Sequence, residues 1–107
     1  MYGLNGTFLI NYIIMIINRH YLITVIGDDK VGIVAKISGY LDGNNINIEE
    51  INQGIVGNTF LMVMIINMTN SKVDFVKLDK DLINLGKRSA LKIKVYNKEV
   101  FDSVYKI

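Results

Sequence analysis

Between Tyr21 and Leu41 the chain reads YLITVIGDDKVGIVAKISGYL, and its apolar pattern changes period halfway along. Tyr21 to Gly27 alternates like a strand, with Tyr21, Ile23 and Val25 on one face and Leu22 and Ile26 on the other. Gly32 to Asp42 repeats like a helix, through Ile33, Val34, Ile37 and Leu41. A strand apolar on both faces needs cover on both sides, and a helix after a short turn folds back onto one of them. Gly39 stands inside the predicted helix at a cost of about 1 kcal/mol against alanine, so it is expected where the helix approaches the sheet closely.

The rest of the chain continues the alternation. DGNN, Asp42 to Asn45, stops the helix. Ile46 to Val56 predicts a second strand, rich in Asn, Glu and Gln. Ile46 and Ile48 share a face, but Ile51 breaks their parity, which a β-bulge would explain. Gly57 and Asn58 suit a tight hairpin into a third strand, Phe60 to Ile66, apolar at every position. Val73 to Leu85 predicts a second helix with Phe75, Leu78, Leu82 and Leu85 on one stripe. Leu91 to Tyr96 alternates cleanly, with Lys92 and Lys94 outward, and Val100 to Tyr105 closes the chain as a short helix.

This order predicts an α+β, ferredoxin-like βαββαβ fold with a C-terminal helix added. The two-faced apolar strands, first and third, belong in the middle of a four-stranded antiparallel sheet. The polar second strand and the lysine-bearing fourth suit its edges, giving the order 4-1-3-2. With both main helices on one face, the other apolar face is bare, and a monomer rarely exposes so large a patch. A homodimer or higher homo-oligomer is therefore expected.

Composition narrows the chemistry. At 107 residues the chain holds one domain, residues 20–107, preceded by an apolar extension, residues 1–19. Twelve basic residues against ten acidic ones leave a net charge of +2, too balanced to argue for nucleic acid. Absent cysteine removes disulfides and thiolate chemistry and fits a reducing, cytoplasmic setting. One histidine, His20, builds no metal cluster alone, so neither metal nor cofactor is expected. The run GTFLINYIIMIIN is interrupted by Asn11 and falls short of the ~20 apolar residues of a membrane span, so stable insertion is not expected. It also lacks the basic leader and cleavage site of a secretory signal.

The GDDKVG junction admits two uses. Its residues suit a turn in which Asp29 caps the helix. The same free N–H groups, at the positive end of the helix dipole, could also cradle a carboxylate or phosphate, with glycine at 32 letting a ligand approach the backbone. VIGDDKVGIVAKIS, followed by NINIEEINQ and the hairpin into FLMVMII, resembles the ACT domain, a small amino-acid-binding regulatory module. More narrowly the chain, from Arg19 onward, is similar to the short stand-alone ACT proteins of bacteria and archaea, which end in a helix similar to EVFDSVYKI.

The resemblance implies pairing, with an amino-acid ligand at the interface between two copies. The loop and first helical turn receive its carboxylate, and polar groups at the start of the second strand hold the rest. Carried onto this chain, the ligand-binding candidates are Asp28, Asp29, Gly32, Ile33, Val34 and Asn47, with Asn45 as the alternative to Asn47. Gly27 completes the loop. Many ACT copies act only as dimerisation modules, so a ligand-free adaptor that recruits a protein partner through a strand edge is the competing expectation.

The remaining features favour structural roles. Glu49 and Glu50 face opposite ways along a strand unless a bulge intervenes, and a solvated edge accounts for them. Met62, Met64 and Met68 suit the core. The central strands lack the aromatic platform of an RNA-recognition domain, and the first loop lacks the arginine of an acylphosphatase. With one histidine outside the loops, no Ser-His-Asp arrangement is credible and no enzyme is expected.

Overall fold

The computed structural model describes residues 6, 9, 19–28 and 32–104. The elements are β1 (His20–Asp28), α1 (Ile33–Gly43), β2 (Asn47–Val56), β3 (Thr59–Asn67), α2 (Phe75–Arg88), β4 (Leu91–Asn97) and α3 (Lys98–Val104). The four strands form one antiparallel sheet in the order β2-β3-β1-β4, which is the predicted 4-1-3-2 read from the other edge.

The core lies between the sheet and α1 and α2. Ile23 and Val25 of β1 and Phe60, Met62, Met64 and Ile66 of β3 meet Ile33, Ile37 and Leu41 of α1 and Leu78 and Leu82 of α2. Met62, Met64 and Met68 are at most 1% exposed, as core methionines should be. Each such side chain contributes ~1.5–3 kcal/mol through burial, so these stripes dominate the fold's stability. Tyr21 stacks on Phe75 with ring centroids 5.1 Å apart, tying β1 to the start of α2.

The parity break in β2 is a bulge. Pairing steps from Ile48↔Ile66 to Glu50↔Ile65, so Glu49 is the extra residue and Ile51 returns to the helix side opposite Met64. Gly57 takes φ 62° in the two-residue hairpin between Val56 and Thr59, a conformation glycine adopts without strain. Asp74 caps α2 by accepting a hydrogen bond from the Lys77 N–H at 2.9 Å.

Gly39 does not have the role the sequence suggests for it. It is exposed, and an added Cβ would meet nothing within 4 Å. The close approach belongs to Gly86 in α2, which is buried: a Cβ there would lie 2.7 Å from the Leu91 carbonyl oxygen and 3.0 Å from Ile93 Cγ1.

α3 starts earlier than predicted, and Tyr105 lies outside the described residues. The helix touches β1 and β4, and Phe101 meets Tyr96 at a centroid distance of 5.6 Å. It therefore covers one end of the sheet's second face. The remainder of that face carries Leu61, Val63 and Ile65 of β3 beside Ile26 of β1, with Ile26 44% and Val63 38% exposed. Of the N-terminal extension only Gly6, Leu9 and Arg19 are described. Among the described residues no helix is long and apolar enough to cross a membrane.

Candidate functional site

Asp28, the last residue of β1, pairs with Thr59 and is exposed. Asp29, with Lys30 and Val31, lies outside the described residues. The chain re-enters at Gly32, the N-cap of α1, with φ 89° and ψ −8°. Having no side chain, Gly32 contributes only its carbonyl, which accepts from the Lys36 N–H at 3.0 Å. Among the described residues the space beside it is open, since an added Cβ would touch none of them within 4 Å. The first amides of α1 have no intrahelical acceptor, and glycine leaves the approach to them clear.

Ile33 and Val34 divide their roles. The Ile33 side chain is 2% exposed and belongs to the core, so only its backbone N–H is available to a ligand. Val34 is half-buried on the flank of α1, one residue further round the helix.

Asn45 and Asn47 sit at the opposite end of the domain. Asn47 pairs with Asn67, which pairs with His20, whereas Asp28 pairs with Thr59. That offset of eight residues along β1 is about 26 Å of strand. Within one chain Asp28 ends β1 and Gly32, Ile33 and Val34 open the next element, whereas both asparagines lie toward the other end of the sheet. Asn45, two residues past α1, has φ 60°; its N–H donates to the Asp42 carbonyl at 3.0 Å, and its Nδ2 donates to the Asn70 carbonyl at 3.0 Å. Its amide thus ties the helix end to the loop before α2. Asn47 is exposed at the start of the edge strand.

Two polar clusters are not apparent from sequence patterns. At the bulge, Glu49 Oε1 lies 2.8 Å from His20 Nε2, and Glu49 Oε2 accepts from Asn67 Nδ2 at 3.2 Å. Asn67 Oδ1 in turn accepts from the N–H and hydroxyl of Thr69, at 2.8 and 2.6 Å. Glu49 is therefore held across three strands rather than merely solvated. Between the helices, the Tyr40 hydroxyl donates to Asp81 Oδ2 at 2.7 Å, and Lys77 Nζ lies 3.2 Å from the same oxygen. Burial, helped by the bond to Asp81, raises the Tyr40 phenol well above its ordinary range. The hydrogen bonds from Tyr40 and Lys77 lower the Asp81 carboxyl. Among the described residues no three His, Asp or Glu side chains converge as a metal site requires.

A family model described as the ACT domain matches residues 19–96. A UPF0237 protein of Methanocaldococcus jannaschii is 40% identical over 86 residues, covering 80% of this chain and 96% of the relative. A UPF0237 protein of Pyrobaculum aerophilum is 41% identical over 86 residues, with the same coverage of each chain. Among solved structures, an ACT domain protein from Streptococcus pneumoniae superposes with a TM-score of 0.68 at 31% identity, covering 78% of this chain and 93% of its own.

Proposed function

The chain belongs to the ACT domain family, and from that premise we propose that it is a regulatory domain binding an amino acid or related metabolite between two copies of itself. The observation that carries the reading is Gly32: a left-handed N-cap, with open space beside it among the described residues, leaves the first amides of α1 accessible to a carboxylate. Asp28 stands at the mouth of the same junction, where Asp29 follows it in the chain.

The separation of Asn47 from this junction supports a second copy. If two chains pair antiparallel along β2, the partner's strand runs in reverse, and its first residue arrives at the loop end of the sheet. Asn47 of one chain is then brought to the end of the sheet that holds Gly32 and Val34 of the other, with its amide available to the ligand's amino group. β2 is suited to such pairing, being an edge strand whose residues, Ile48 apart, are all exposed. The reading assigns the protein no catalytic step and places it in the cytoplasm.

That exposed edge equally favours the second reading, a ligand-free module that recruits a protein partner by strand addition. A thermal-melt panel of dialysed protein against the common amino acids separates the two. A ligand at a hundred times its dissociation constant adds ~2.7 kcal/mol, enough to raise the midpoint by several degrees. A rise with one or two related amino acids supports the sensor. A flat panel favours the adaptor.

A further inference from the structure

The groove between α1 and α2 is a second candidate site, on the opposite flank of α1 from Val34. It encloses about 390 Å³ and is lined by Lys36, Tyr40, Asp81, Asn84, Leu85 and Arg88. Its layout follows from helical spacing. Lys36 lies one turn before Tyr40 on α1, and Asn84 and Arg88 lie one and two turns after Asp81 on antiparallel α2. The Tyr40–Asp81 hydrogen bond closes one end of the groove, and Leu85 contributes its apolar surface. Toward the end where α1 begins, the walls present Lys36 on one side and Asn84 and Arg88 on the other.

Two observations give this groove a preference. The first is charge. Asp81, the one carboxylate among the lining residues, is already engaged by the Tyr40 hydroxyl and by Lys77. Lys36 and Arg88 have no ion pair among the described residues, so the groove presents net positive charge. The second is position. Arg88, in the last turn of α2, complements the negative end of its own helix, which is reason enough for a cation there. Lys36 sits at the end of the first turn of α1, where the helix dipole disfavours a cation. The helix gains nothing electrostatically from Lys36, whereas an anion in the groove does.

We propose that this groove binds a phosphate group, free or carried by a small metabolite, through Lys36 from one wall and Arg88 and the Asn84 amide from the other. A phosphate carries up to two negative charges near neutral pH and three acceptor oxygens, matching two cations and an amide donor that line one groove from separate helices.

The test is a nuclear magnetic resonance titration of the full chain with inorganic phosphate at constant ionic strength, repeated with acetate. Saturable shifts are expected at the backbone amide of Lys36, the side-chain amide of Asn84 and the guanidinium Nε–H of Arg88. Each of Lys36→Gln and Arg88→Gln should weaken phosphate binding about tenfold, the size of one charge-assisted hydrogen bond. Both substitutions are at exposed positions, and the amide spectrum itself confirms that each variant is folded. Linear shifts that persist in the double variant would reduce the effect to general screening and overturn the site. Saturable shifts centred on Gly32 to Val34 that survive both substitutions would move the anion to the first junction. Acetate binding as tightly as phosphate would overturn the assignment to phosphate.

Discussion

Replacing Gly86 and Gly39 by alanine, one at a time, should move stability in opposite directions although both glycines lie inside helices. Alanine is favoured over glycine in a helix interior by ~0.8–1 kcal/mol. At Gly39 nothing opposes that gain, because the added methyl meets no atom within 4 Å. At Gly86 the methyl would lie 2.7 Å from the Leu91 carbonyl oxygen and 3.0 Å from Ile93 Cγ1. Leu91 is paired with Gly27 in β1, so its carbonyl cannot retreat without disturbing that ladder. Overpacking of this kind costs ~1–3 kcal/mol, and with the methyl set against a backbone oxygen it outweighs the propensity gain. A net loss of about 1 kcal/mol at Gly86 lowers the melting midpoint of a domain this size by about 4–8 °C, and Gly39→Ala raises it by a similar amount. Urea denaturation followed by circular dichroism gives the same comparison at 25 °C, with unchanged m-values expected for both variants. Stabilisation by Gly86→Ala, or destabilisation by Gly39→Ala, would refute the assignment of the helix–sheet contact to Gly86.

Other consequences can be measured on the same protein. Asp74→Ala removes the bond to the Lys77 N–H and should cost about 1 kcal/mol in urea denaturation, with Asp74→Asn largely retaining it. Gly32→Val forces a β-branched residue into φ 89°, so stability should fall by roughly 1–2 kcal/mol. It should also abolish amino-acid binding in calorimetry while the dimer persists, and loss of the dimer instead would make Gly32 purely structural. Tyr40 bears on alkaline stability. The folded phenol keeps its proton where the unfolded one releases it above pH ~10, so stability falls as pH rises through that range. Tyr40→Phe should make this alkaline loss shallower than in the parent protein, and an unchanged profile would deny the raised affinity for the proton.

Much of the fold was legible because each signal was local. The parity of Ile48 and Ile51 located the bulge to within a residue of Glu49. The two-faced apolar pattern of β1 and β3 placed them at the centre of the sheet. The helix glycines were harder, yet phase distinguishes them. Gly86 follows Leu78 and Leu82 at intervals of four, on the buried stripe, while Gly39 sits midway between Ile37 and Leu41 and so faces away. Asn45 and Asn47 could not be told apart by register alone. A left-handed residue just after a helix is C-cap chemistry, which asparagine tolerates, and that is what Asn45 does. The Tyr40–Asp81 bridge joins residues 41 positions apart, and only the lateral placement of the two helices creates it. The same is true of the groove that Lys36 and Arg88 share.

If an amino acid is held by two copies of the chain together, sedimentation equilibrium should register it as a change in self-association. Dialysed protein would be measured across a concentration series, with and without the amino acid that raises its melting point most, or an equimolar mixture of all twenty if none stands out. A dimer is expected whose dissociation constant falls when the ligand is present, because the first turn of α1 in one chain and Asn47 of the other hold the same molecule. A monomer at every concentration with and without amino acids, or a dimer whose dissociation constant no amino acid alters, would contradict it.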